Sequence, residues 1–301
     1  MEDHRLKAFC LIVESRSFSK AAEAKFMTQS AMSHLVKSLE DEFGVKLFHR
    51  RGREVCPTPA GQLLYRHARQ LLEGYRKMGG DLDDLTGRVQ GPLSIGATAT
   101  AAAYLLPQVF YDFSKQYEGV VLQVKAESSE KVLSDLREGR SEVGVVEGNA
   151  AGLPFHSVAI AGDEIVPIVP DDHPLAGSGP VSIADLASHA LILPEAGSAE
   201  REFLDDFFRK AGIQPEEITV RMTAGSPELV IQMVQSGIGI SLLSKWSVFR
   251  AVKEGTIRVL QMSGTKLTRD FCMISLEEVP VTAAARAFTA FVREYRFFMP
   301  F

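Results

Sequence analysis

The sequence predicts an α+β chain in several parts: a small helical module with a β-wing, a long helix, and a body of two α/β lobes around a cleft. Three observations carry this. The first fifty residues show helical apolar spacing broken twice by capping signals. Leu64, Ala68, Leu71, Tyr75, Met78, Leu82 and Leu85 alternate spacings of four and three, a heptad seam. From Leu93 onward, short apolar runs alternate with helical patterns, which predicts a mostly parallel sheet covered on both faces.

Element by element, Leu6, Phe9, Cys10 and Val13 predict one buried face of a first helix. Ser19 is positioned to cap an alanine-rich second helix, Lys20 to about Lys25, and Thr28 a third, Gln29 to about Glu42, ended by Gly44. Val45, Leu47 and Phe48, the basic turn Arg50-Arg51-Gly52-Arg53 and the return Glu54-Val55-Cys56 predict the wing. Thr58-Pro59 is a strong helix start, because proline at the first helical position sacrifices an N–H that has no partner there. The seam that follows is read either as packing on its own domain or as a dimer helix. Its three heptads and surrounding charges favour the dimer, and Gly79 is a candidate bend. Residues 86–92, TGRVQGP, punctuate the chain. The expected domains are therefore 1–58, a linker and dimerisation segment 59–90, and 91–301. In the last, lobe I is 91–161 with 266–301, and lobe II is 162–265.

The 301 residues are 46% hydrophobic and 24% charged, an ordinary globular composition. No run approaches the roughly 18 apolar residues of a membrane-spanning helix, and no leader pattern follows Met1, so the expected compartment is the cytoplasm, without a membrane partner. Cys10, Cys56 and Cys272 are odd in number and widely spaced, which predicts neither a disulfide framework nor a metal site. The net charge is −5, yet residues 1–70 hold 12 Lys and Arg against 8 Asp and Glu. That asymmetry predicts a basic binding module on an acidic body.

On the third helix, Met32, Leu35 and Leu39 form an apolar stripe. Gln29, Ser33 and Lys37 stand opposite with Ser30 and His34. A solvated face usually carries paired Lys and Glu; this one carries side chains that can hydrogen-bond base edges in double-stranded DNA. Thr28, Gln29 and Ser30 at the helix start suit a phosphate, and Arg50, Arg51 and Arg53 suit the DNA backbone or the adjacent minor groove.

The motifs Phe18-Ser19-Lys20-Ala21-Ala22, Thr28-Gln29-Ser30-Ala31-Met32-Ser33, Leu39-Glu40, Gly44-Val45-Lys46-Leu47-Phe48 with Arg50, and Thr58-Pro59-Ala60-Gly61 resemble the DNA-binding end of the LysR-type transcriptional regulators. The likeness is dense over residues 5–61, and Val234 to Leu243 is also similar; Pro57 stands where the family usually has an apolar residue. The resemblance implies a winged helix-turn-helix with Ser19 and Pro59 among its DNA-facing residues. It also implies a dimerising linker helix, an effector domain like a periplasmic binding protein, dimers pairing into homotetramers, and inducer-controlled transcription with RNA polymerase as a further partner.

Ligands of open α/β lobes bind beyond the carboxyl ends of strands. Thr98, Thr100, Ser128, Ser129, Ser198 and Ser226 are hydroxyls at or near expected helix starts and suit a small anionic effector, though each is read equally as a simple cap. Arg201 is placed either to clamp an anion or to pair with Glu202 or Asp205. There is no Gly-x-Ser-x-Gly, His-Glu-x-x-His or P-loop pattern, so neither catalysis nor a cofactor is expected. The competing reading is a cytoplasmic solute-binding protein whose N-terminal helices serve only dimerisation.

Overall fold

Asp3 opens the fold by accepting the Arg5 backbone N–H at 2.9 Å, which caps the first helix, α1 (His4–Ser15). The computed structural model describes residues 3–51, 54–86, 88–148, 154–196, 198–264, 266–276, 280 and 282–299. Helix α2 (Phe18–Ala24) starts earlier than expected: Ser17, in extended conformation, is the cap and accepts from Lys20, so Ser19 lies inside the first turn. Thr28 caps α3 (Gln29–Phe43) by accepting from Ala31 at 3.2 Å, and Gly44 ends it with a φ of 65°, a conformation glycine adopts without Cβ strain. The wing strands β1 (Phe48–Arg51) and β2 (Glu54–Pro57) pair antiparallel. Pro57 closes the ladder opposite Phe48, at a strand end where a missing donor is tolerated.

The next helix, α4 (Pro59–Thr86), runs unbroken through Gly74, Gly79 and Gly80. Its start is built by Thr58, whose Oγ1 accepts from Gly61 at 2.9 Å and donates to the Lys46 carbonyl at 2.6 Å. Phe48 joins the small cores of this unit, with its ring 5.4 Å from those of both Phe9 and Phe18. Val36, rather than Leu35, completes the buried stripe of α3 with Met32 and Leu39; Leu35 is half-buried beside them. Both spacings satisfy a helical period, and only the packed neighbours choose between them.

The chain divides into two compact units, Met1–Leu85 and Thr86–Phe301. The second begins with β3 (Gly91–Ala97). A π-helical turn, Ala101–Leu105, is followed by α5 (Pro107–Gln116) and not by one continuous helix, because Pro107 restarts the hydrogen-bond ladder. Then follow β4 (Val120–Ala126), α6 (Ser129–Arg137), β5 (Val143–Glu147), β6 (His156–Pro170), α7 (Ile183–Ala187), β7 (Leu191–Pro194), α8 (Ala199–Lys210), β8 (Val220–Ala224), α9 (Pro227–Gln235), β9 (Ser241–Ser244), α10 (Lys245–Lys253), β10 (Ile257–Val259), β11 (Leu267–Ser275) and α11 (Ala283–Glu294).

Strand β6 is the longest of the described strands, 15 residues. The main sheet runs β10-β6-β11-β5-β3-β4, with β9 also on β6. It is mixed: β4, β3 and β5 are parallel, while β11 and β6 are antiparallel to their neighbours. Strands β6 and β11 cross from one lobe to the other. Phe271 and Met273 belong to the core of Leu93, Phe113 and Phe288, whereas Ile165, Val169 and Leu267 belong to that of Leu191, Phe208 and Leu242. In the second lobe β7 and β8 form a separate parallel pair.

Candidate functional site

Two surfaces carry the expected site residues. In the N-terminal unit, burial of Met32, Val36 and Leu39 turns the opposite side of α3 outward. Gln29, Ser30, His34 and Lys37 are exposed there, and Ser33 is half-buried. Thr28 Oγ1 and Ser30 Oγ lie 2.9 Å apart beside the helix start. Ser19 and Pro59 are also exposed, Arg50 and Arg51 lie on β1, and Arg53 falls outside the described residues. The turn between α2 and α3 holds Phe26 at a φ of 53° with its ring fully exposed, a feature the sequence pattern did not single out.

The seam of α4 splits its allegiance. Leu64 and Ala68 pack against Leu6, Phe9 and Leu39 in their own unit, and Tyr65 donates to Glu14 at 3.0 Å. Arg69 joins the same carboxylate at 3.1 Å. Beyond them Leu71, Tyr75, Met78 and Leu82 are exposed. The reading of the seam as packing on its own domain therefore holds for its first half, and the second half is left exposed.

In the second unit a cavity of about 360 Å³ opens between the lobes. Thr98, Thr100, Ser128, Ser129, Ser198 and Ser226 all line it. The three cap serines are genuine caps: Ser128 accepts from Lys131, Ser198 from Arg201 and Ser226 from Leu229. Capping and lining are thus the same act, because a helix that starts at the cleft aims its free N–H groups into it. Thr98 differs: its Oγ1 is buried among the lining residues without a hydrogen-bond partner.

Arg201 does not line the cavity. Its Nε donates to Asp205 at 2.8 Å and a terminal nitrogen reaches the Pro194 carbonyl, so it braces α8 on β7. Among the described residues, the acidic and basic side chains of the lining are all carboxylic, Glu127, Glu147, Glu195 and Glu200. Behind them Arg269, 5% exposed, donates to the wholly buried Asp163 at 2.9 Å and approaches Glu200 at 3.5 Å. Burial raises the Glu200 pKa, against the pull of Arg269. The Tyr104 hydroxyl on the π-helical turn bonds Glu228 on α9; burial and that carboxylate both raise the tyrosine's pKa. Sequence reading missed these groups. Glu147 and Glu195 did carry a signal, as carboxylates at or just past strand ends, while Arg269 and Asp163 carried none.

The bacterial regulatory helix-turn-helix model of the lysR family matches residues 4–62, and the LysR substrate binding domain model matches residues 86–296. The HTH-type transcriptional regulator CysL of Bacillus subtilis is 31% identical over 270 residues, 89% of each chain. Full-length CbnR, solved in complex with its target DNA, superposes with a TM-score of 0.67 at 22% identity, covering 97% of this chain and 99% of that one. The regulatory domain of CcmR from Synechocystis PCC6803, solved in complex with 2-PG, gives a TM-score of 0.62 at 22% identity, covering 68% of this chain and 96% of that one.

Proposed function

The chain belongs to the LysR family of transcriptional regulators, and from that premise we propose how its own residues do the work. Residues 1–58 form the DNA-binding domain, 59–90 the linker and dimerisation segment, and 91–301 the effector domain. The effector domain divides into lobe I (91–161 and 266–301) and lobe II (162–265). Helix α3 enters the major groove with Gln29, Ser30, Ser33, His34 and Lys37 toward the bases, while Thr28, Ser19 and Pro59 approach phosphates. The wing arginines Arg50, Arg51 and Arg53 add sequence-independent attraction to the backbone.

The observation that carries this reading is the outward polar face of α3 above a fully packed apolar one. Two copies joined through α4 would read paired half-sites, and a further pairing would make the homotetramer. CbnR, solved with its target DNA, shares the fold. The cleft between the two lobes senses a small effector at Thr98, Thr100, Ser128, Ser129, Ser198 and Ser226. The anion-binding character of three helix starts and the 2-PG complex of CcmR support an anionic group on it. The protein acts in the cytoplasm as a regulator, with RNA polymerase as a further partner and no reaction of its own. The helix-turn-helix match leaves the solute-binding alternative without support.

A mobility-shift assay of the full chain on genomic fragments at fixed salt tests the DNA reading. Gln29→Ala and Ser33→Ala are each expected to cost about 1–3 kcal/mol and to relax specificity at one base pair. Unchanged footprints in both variants would overturn the assignment of α3.

A further inference from the structure

The charges of the cleft do not match a purely anionic ligand. Glu127, Glu147, Glu195 and Glu200 contribute carboxylates to its lining, and among the described residues no lysine, arginine or histidine does. The nearest cation, Arg269, lies behind the wall and is already committed to Asp163 and Glu200. Glu147 also acts on it electrostatically, so one guanidinium faces three carboxylates. A wholly negative ligand entering here would meet repulsion in a site of low dielectric, where it is screened least. A cationic group would instead complete the charge balance beside Glu147 and Glu200.

Other groups in the same cavity call for a different partner. Thr98 lines the cavity and is 6% exposed, and its hydroxyl is buried beside it with no protein atom to bond. A buried polar atom left in this way costs free energy until something fills its hydrogen bond. Helices α6 and α9, each nine residues long, begin at the cavity with Ser128 and Ser226; the first turn of α6 directs its N–H groups there, whereas Pro227 opens α9 without one and leaves that of Glu228. Gly225, just before α9, allows the Glu195 carboxylate to lie close to its backbone: a Cβ there would sit 3.1 Å from Oε1.

Resting on the effector-cleft reading above, we propose that the ligand is a small zwitterion of the amino-acid kind. Its ammonium or guanidinium group sits against Glu147 and Glu200, and its anionic group takes the Thr98 hydroxyl and the free N–H groups opening α6 and α9. The cavity's 360 Å³ suits a molecule of that size.

The test is thermal shift and calorimetry on the full chain. The probes are the common L-α-amino acids and three five-carbon compounds of matched length: 5-aminovalerate, glutarate and cadaverine. At least one zwitterion is expected to raise Tm saturably and to bind tenfold or more tighter than glutarate and cadaverine. Glu147→Gln and Glu200→Gln are each expected to weaken that zwitterion at least tenfold while narrowing the gap to glutarate. If glutarate stabilises the wild-type chain more than any zwitterion, and Ser128→Ala or Ser226→Ala abolishes the effect, the ligand class is wrong and the effector cleft stands. If no compound of any class shifts Tm, the cleft reading falls with it. The wild-type comparison decides the matter even if a glutamine variant fails to fold.

Discussion

Arg269 and Asp163 stand at directly paired positions of β11 and β6, and the guanidinium Nε donates to the carboxylate at 2.9 Å. The pair sits where the two strands pass between the lobes, and Ser244 from β9 donates to the other carboxylate oxygen at 2.6 Å. Phe203 lies under the guanidinium at 5.5 Å. Removing one member of such a buried pair leaves the other charge without compensation, which typically costs roughly 3–5 kcal/mol. Arg269→Ala is therefore expected to lower the unfolding free energy by about that amount in denaturant melts. A loss below about 1 kcal/mol would show that the strand crossing does not depend on this pair.

Two acids of the second unit, the buried Asp135 on α6 and the half-buried Glu200 on α8, predict opposite responses to pH. Burial alone would raise the pKa of Asp135, but the hydrogen bonds from Lys131 and Arg140 outweigh it and the net shift is downward. Its contribution to stability is thus complete above the unfolded value near 3.8 and is lost as pH falls through the lower folded value. Asp135→Asn should destabilise at neutral pH and lose less on acidification than the wild type. Glu200 is shifted upward, so its charged form disfavours the fold once pH rises through the folded value. Glu200→Gln should raise Tm at neutral pH, and that gain should vanish below the unfolded value of 4.5. Melts from pH 2 to 8 check both signs; parallel curves for either variant would contradict the corresponding environment.

Gly61 is a contact prediction. A Cβ built on it would lie 2.2 Å from the Leu47 carbonyl oxygen, a backbone atom held in place by the Thr58 N–H at 2.9 Å. Gly61→Ala should therefore push α4 off the wing, at an overpacking cost of about 1–3 kcal/mol. Gly74→Ala, with nothing within 4 Å of its Cβ, should instead be neutral or stabilising, because alanine favours helix. Thermal melts of the two variants separate packing from propensity, and equal effects would remove the argument.

The same residues explain what the sequence made legible. Thr28, Gly44 and Thr58-Pro59 act through bonds that reach only a few residues, so caps and helix ends can be read locally. The cleft hydroxyls were found for the same reason, since a helix start is a local event. Arg269 and Asp163 are 106 residues apart, and nothing local pairs them; the register of two long strands does. Asp163 is a polar residue inside the long strand β6, and the partners that let it be buried there come from β11 and β9. Arg201 illustrates the opposite case: two readings were open locally, and the helical spacing to Asp205 resolved it toward the ion pair.

The last prediction concerns the exposed half of the α4 seam. Leu71 and Leu82 are both 56% exposed, with Tyr75 at 37% and Met78 at 49% between them, on a helix of 28 residues, about 42 Å long. The spacings of four, three and four keep these side chains on one stripe, which a second copy of the helix can cover. Leu64 and Ala68 are already buried in their own unit, so a substitution there would report on folding instead. Leu71→Asp with Leu82→Asp should leave the melting of the N-terminal unit nearly unchanged while halving the mass seen by light scattering. Affinity for a paired site should fall steeply, because two half-sites are then bound by separate molecules, and affinity for a single half-site should stay the same. An unchanged mass would move the dimer interface away from this helix.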